Sequence, residues 1–146
     1  MCFRREVGLR WVSDIDKQPW KLKMGRVGKV LSNCEDTDLL VTSCDLGLGF
    51  GIFPSLKVTH LIPPSRLSED YLVGIARGTI ASNLVMRCMR YGQKIEPPGL
   101  LYRWAKQIHG LFTQTRRARR FDQAKIQAHK DALAVVHELQ IGNVDR

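Results

Sequence analysis

At about residue 66 the hydrophobic pattern changes period, and that change constrains the fold more than anything else in these 146 residues. From Ser68 onward apolar residues recur every three or four positions, the spacing that gathers one face of an α-helix. Leu72, Ile75, Ala76, Ile80, Leu84 and Cys88 form the first such face, with Ser68 placed to cap it, Glu69 and Asp70 in its first turn, and Gly92 placed to stop it. After the hinge Glu96-Pro97-Pro98-Gly99, a second stretch puts Leu101, Trp104, Ala105, Ile108 and Leu111 or Phe112 on one side, with Arg103 and Lys106 towards the other. A third, over roughly Thr115 to Leu139, presents Phe121, Ala124, Ala128, Ala132, Val135, Val136 and Leu139. Three helices are expected over 66–146.

The first 65 residues read differently. Phe3 to Val12 is open to a short helix, Ser13 to Pro19 reads as a turn-rich loop that includes Asp14-Ile15-Asp16, and Glu35 to about Gly47 reads as a three-turn helix with acids at its start. Phe50 to Phe53 and Leu56 to Leu61 read as strands around the turn at Pro54-Ser55, the second ended by Pro63-Pro64. The expected class is therefore α/β, with a partial domain over 1–65 and a helical basic extension over 66–146.

Length allows one ordinary domain that buries roughly two-thirds of its unfolded surface, and an apolar fraction of 44% with 25% charged residues excludes wholesale disorder. The net charge of +9 is local: residues 1–65 are nearly balanced, whereas residues 87–120 hold nine cations against Glu96 alone. Cys2, Cys34, Cys44 and Cys88 show no CxxC spacing, so free thiols in a reducing compartment are expected in place of a zinc ribbon or disulfide framework. No uncharged apolar run reaches spanning length, and a cytoplasmic location or a peripheral one on the inner membrane face follows as the expectation.

The densest polar constellation is Glu35-Asp36-Thr37-Asp38. Acids there complement a helix dipole, and with His60 at a strand end they are also a donor set for a divalent cation. Residue chemistry alone leaves both readings open.

The stretches Met1-Cys-Phe-Arg-Arg-Glu, GRVGKVLSNCEDTDLL and FGIFPSLKVTHLIPPSRLSEDYLVGIARG resemble the C-terminal half of a family 2 bacterial glycosyltransferase of GT-A type, over residues 1 to about 92. The resemblance implies a truncated GT-A nucleotide-diphospho-sugar transferase domain followed by a mainly α, three-helix extension. It implies Asp36 as catalytic base with Glu35 orienting the acceptor, His60 near a metal, and Arg4, Arg5, Arg26, Lys29 and Arg66 near acceptor or donor. The intact enzyme would use Mg or Mn, a nucleotide-sugar donor and a saccharide or lipid-linked acceptor in polysaccharide biosynthesis. The Asp-x-Asp half of that family is absent here, so this chain is expected to be inactive alone, to hold no cation tightly, and to self-associate through an unpaired sheet edge.

The rival reading is a basic helical module that binds nucleic acid or a membrane surface. Trp104, Arg116, Arg117, Arg119 and Arg120 would then meet a polyanion or an anionic leaflet, against the slightly favoured alternative that the apolar side of Leu101, Trp104, Ile108 and Phe112 packs on neighbouring helices. Nucleic acid is the less favoured of the two, because no known nucleic-acid-binding signature accompanies the charge.

Overall fold

The computed structural model describes residues 2–25 and 34–141. The first element, α1 (Arg5–Lys17), runs through the segment expected to be a turn. Arg10 Nε donates to Asp14 Oδ1 at 3.0 Å one helical turn on, which draws Asp14-Ile15-Asp16 into the helix. It ends at Gln18, whose φ of −135° and ψ of 72° are non-helical, as the residue before a proline tends to be. Pro19–Met24 then forms a 3₁₀ turn. The next helix, α2 (Glu35–Asp45), collects Glu35, Asp36 and Asp38 in its first turn, and Gly47 beyond its end has a φ of 72° that suits glycine.

After a second 3₁₀ turn, Pro64–Leu67, comes α3 (Glu69–Tyr91). Ser68 Oγ accepts from the Tyr71 amide at its start, and Gly92 closes it in the left-handed region with a φ of 65°. Gly99, after the proline pair, leads into α4 (Leu100–Thr113), and two residues, Gln114 and Thr115, separate this from α5 (Arg116–Ile141).

The core forms where α3 meets α5. Ala124, Ala128, Ala132 and Val136 recur every fourth residue on α5 and are buried, small enough to let the helices approach closely. Val85 and Met86 of α3 pack in one cluster with Ala132 and Val136, and Trp20 and Cys34 from the N-terminal third join it. Burying side chains the size of Val85 and Met86 stabilises by roughly 1.5–3 kcal/mol each. Polar pairs extend the same seam: Arg120 reaches Glu69 at 2.7 Å and also Asp70, and Arg77 NH2 donates to Asp131 Oδ1 at 2.8 Å. Partner numbers rise together along both helices, so α3 and α5 run in the same direction. The chain between them must return the full length of α3, and α4 lies in that return.

A buried ionic centre ties α1 and α2 to α3. Asp38 Oδ2 accepts from Trp11 Nε1 at 2.7 Å and from Lys21 Nζ at 2.9 Å, while its other oxygen accepts from Arg90. The side chains of Lys21 and Asp38 are each 1% exposed. Asp14 stands 4.0 Å from the same ammonium, and Asp45 takes the other arm of Arg90. Three acids thus surround two buried or nearly buried cations.

These observations overturn the α/β expectation. Among the described residues there is no β-strand, and Phe50 to Phe53 and Leu56 to Leu61 are extended chain without ladder partners. Alternating apolar residues make a strand only when another strand supplies the hydrogen bonds. Here Gly49, Gly51, Pro54 and Pro63 break the run, and Ile52, Val58 and Leu61 face solvent. A GT-A domain is organised around a parallel sheet, so the resemblance to a family 2 glycosyltransferase does not extend to the fold. The argument for self-association through a sheet edge goes with it.

Candidate functional site

An amphipathic helix at a protein surface ordinarily turns its apolar stripe to the core. In α4 the orientation is reversed. Leu101, Trp104, Ile108 and Phe112 share one face, and all are exposed, Leu101 by 87% and Phe112 by 84%. The polar face, with Arg103, Lys106, Gln107 and the buried Gly110, is the one turned to α5. Lys106 Nζ lies 3.2 Å from Asp122 Oδ1, and Gln114 Nε2 donates to Asp122 Oδ2 at 3.1 Å, so side-chain polar contacts hold α4 to its neighbour. Desolvation would raise the Asp122 pKa, but hydrogen bonds from Gln114, Lys106 and Lys125 outweigh it and hold the carboxyl below its ordinary value. Asp122 is therefore a charged anchor at neutral pH.

Two rings flank the exposed stripe. Tyr102 lies under Lys106 Nζ at 5.9 Å from its centroid, and Trp104 is 65% exposed. Next in the chain, Arg116 and Arg117 are exposed and carry no ion pair among the described residues, whereas Arg120 is engaged by Glu69 and Asp70. Arg119 is half-buried with its Nε hidden between α4 and α5. Of the four arginines that the sequence groups together, Arg116 and Arg117 are the two on the open surface. No family model, curated protein or solved structure matches the chain. Its chemistry has to be read from this surface.

The residues expected to form a transferase site are not assembled into one. Asp36 is exposed, and its Oδ1 accepts from the Thr37 amide at 2.8 Å, a local contact at a helix start. Glu35 turns inward beside Gly25, with Oε2 buried and unpartnered. His60 lies on the exposed extended segment, and among the described residues no hydrogen bond or ion pair joins it to Glu35 or Asp36. No group of three or more His, Cys, Asp or Glu side chains able to hold a metal ion is present among the described residues. Arg4 pairs with Glu6 at 3.5 Å on the surface, Arg5 and Arg66 are exposed, and Arg26 and Lys29 lie outside the described residues. With neither a sheet nor a converging carboxylate set among the described residues, the reading as a hexosyltransferase with a nucleotide-sugar donor and a saccharide or lipid-linked acceptor fails.

Two positions after the expected base, Asp38 is a buried acid with three side-chain partners. Its partners Trp11, Lys21 and Arg90 lie 27, 17 and 52 positions away, so no local motif signals them. Beside it Cys34 is buried, and desolvation, reinforced by Asp36, Glu35 and Asp38, pushes its thiol up to about 11. That thiol is protonated and inert at neutral pH.

Proposed function

We propose that this protein is a helical module that attaches peripherally to an anionic membrane surface through α4 and the start of α5. The observation that carries the reading is the reversed orientation of α4, whose apolar stripe faces outward while its polar side is held by Asp122. Inserting Leu101, Trp104, Ile108 and Phe112 to the level of the acyl boundary supplies a gross gain of about 5–10 kcal/mol before the costs of association. Arg116 and Arg117 add about 1 kcal/mol each near anionic headgroups. Tyr102 and Trp104 suit the headgroup level, where an aromatic ring keeps one end wet. Among the described residues no helix is long and apolar enough to cross a membrane, so attachment is at the surface.

Vesicle co-sedimentation tests this. Wild-type protein is expected to bind vesicles containing phosphatidylglycerol and to bind neutral phosphatidylcholine vesicles weakly. Trp104→Glu with Phe112→Glu should lower partitioning at least tenfold with unchanged helicity, because both side chains are exposed. Arg116→Glu with Arg117→Glu should remove the preference for anionic lipid. Partitioning unaffected by either pair, or salt-sensitive binding to RNA or DNA without vesicle binding, would refute the proposal.

A further inference from the structure

Behind the apolar stripe, a cleft of about 220 Å³ separates α4 from α5. Its lining includes Arg103, Lys106, Gln114, Arg119 and Asp122, with the buried Gly110 beside Gln114 and Arg119. Arg119 Nε is buried and has no hydrogen-bond partner. A guanidinium presents its donors as a rigid planar fork, and a buried one without an acceptor is costly, which sets Arg119 apart among the residues lining the cleft. The one acid of the lining does not supply that acceptor. Asp122 is already engaged by Lys106 at 3.2 Å, Lys125 at 3.3 Å and Gln114 at 3.1 Å. Arg103, half-buried on the opposite wall, has no ion pair among the described residues. Two cations therefore share the cleft without a counter-ion.

The backbone keeps that space open. A Cβ on Gly110 would stand 3.0 Å from Gln114 Oε1 and 3.8 Å from Arg119 Cγ, so even an alanine there would force the Gln114 amide at the cleft to shift. The volume equals that of about seven waters at roughly 30 Å³ each, enough for a tetrahedral oxyanion with part of its hydration shell. Two guanidinium groups suit the paired oxygens of phosphate better than a monodentate or monovalent anion.

We propose that the cleft between α4 and α5 is a phosphate-binding site, with Arg119 and Arg103 as the ligating cations. The phosphate is either free in solution or the monoester headgroup of a lipid. This site does not depend on the exposed stripe of α4, so the two proposals can fail separately.

Thermal unfolding in inorganic phosphate, against sodium chloride at matched ionic strength, gives the first readout. A rise of about 3–6 °C that grows with the logarithm of concentration is expected once phosphate reaches ten times its half-saturating concentration. Arg119→Met, Arg103→Met and Gly110→Ala should each weaken the half-saturation at least tenfold. If Arg119→Met does not fold, Arg103→Met decides. The second readout compares vesicles of phosphatidic acid and phosphatidylglycerol at equal surface charge. A preference for phosphatidic acid that Arg103→Met removes identifies the lipid monoester as the source. Equal binding to both, with the solution response intact, identifies free phosphate. A phosphate response no larger than that of chloride, or one unchanged in both arginine variants, would overturn the proposal.

Discussion

Replacing Asp38 by Asn tests whether the buried ionic centre holds the N-terminal third to the helical core. Asn keeps the size and an acceptor for Trp11 Nε1, so the change removes charge with little effect on packing. The consequence falls mainly on Lys21, whose side chain is 1% exposed and whose remaining acid, Asp14, stands 4.0 Å away against 2.9 Å for Asp38. Arg90 NH1 also loses its acceptor, because the amide nitrogen of Asn takes the place of Oδ1, while Asp45 still takes the other arm of Arg90. Breaking a buried pair by removing one partner costs about 3–5 kcal/mol, since the other charge stays behind in a poor solvent. With Asp14 as partial replacement the lower end applies, about 3 kcal/mol. For a chain of this length that lowers the melting temperature by about 6–12 °C. Urea unfolding followed by far-ultraviolet circular dichroism and by tryptophan fluorescence gives the free energy, and an unchanged dependence on urea would show that the folded state is intact. Combining Asp38→Asn with Lys21→Met should recover at least about 1.5 kcal/mol of the loss, because no stranded ammonium remains. A loss below about 1 kcal/mol for Asp38→Asn, or strict additivity in the double variant, would refute the argument that this pair is energetically coupled.

Two further outcomes follow from the titrating groups. Arg77 hydrogen-bonds Asp131 and, against a smaller opposing effect of burial, holds its carboxyl below the ordinary range; Gln127 adds to this. A depressed carboxyl contributes stability that is present above its unfolded pKa and lost as pH falls through the lower folded value. Asp131→Asn should therefore cost about 0.5–1 kcal/mol at pH 7 and almost nothing near pH 2; a cost that persists at pH 2 would assign the effect to packing. Thiol labelling at pH 8 should modify the exposed Cys2 and Cys44 rapidly and Cys34 at least a hundredfold more slowly, and a fast-reacting Cys34 would contradict its burial and raised pKa.

What could be read from the sequence was mostly local. Ser68, Gly92 and the run of alanines on α5 carry their signals within one or two turns, and the helices follow them closely. With Ser13, Asp14-Ile15-Asp16 has the loop-forming acids and serine that precede Pro19, yet the Arg10 to Asp14 contact continues the helix to Lys17. The segment from Phe50 to Leu61 has the letters of two strands, but strands require partners, and partners are a property of the whole fold. The amphipathic pattern of α4 is plain in the sequence. Its orientation is not, because periodicity says which residues share a face and leaves open which way that face turns. The same limit applies within Glu35-Asp36-Thr37-Asp38, where nothing local marks Asp38 as the buried acid, since its partners come from three different elements.

The parallel course of α3 and α5 has a kinetic consequence. Helical bundles usually fold fast because neighbours in space are near neighbours along the chain. Here the pairs that zip the central seam are 54 and 51 positions apart, Arg77 with Asp131 and Arg120 with Glu69. Closing a flexible loop of that size costs about 3.5 kcal/mol from its length dependence alone. The nucleus must meet that cost before Ala128 and Ala132 can repay it, so refolding should be slow for an all-helical chain. Early helix formation in α4 would shorten the loop that has to close, which makes the return segment a determinant of folding speed as well as a surface.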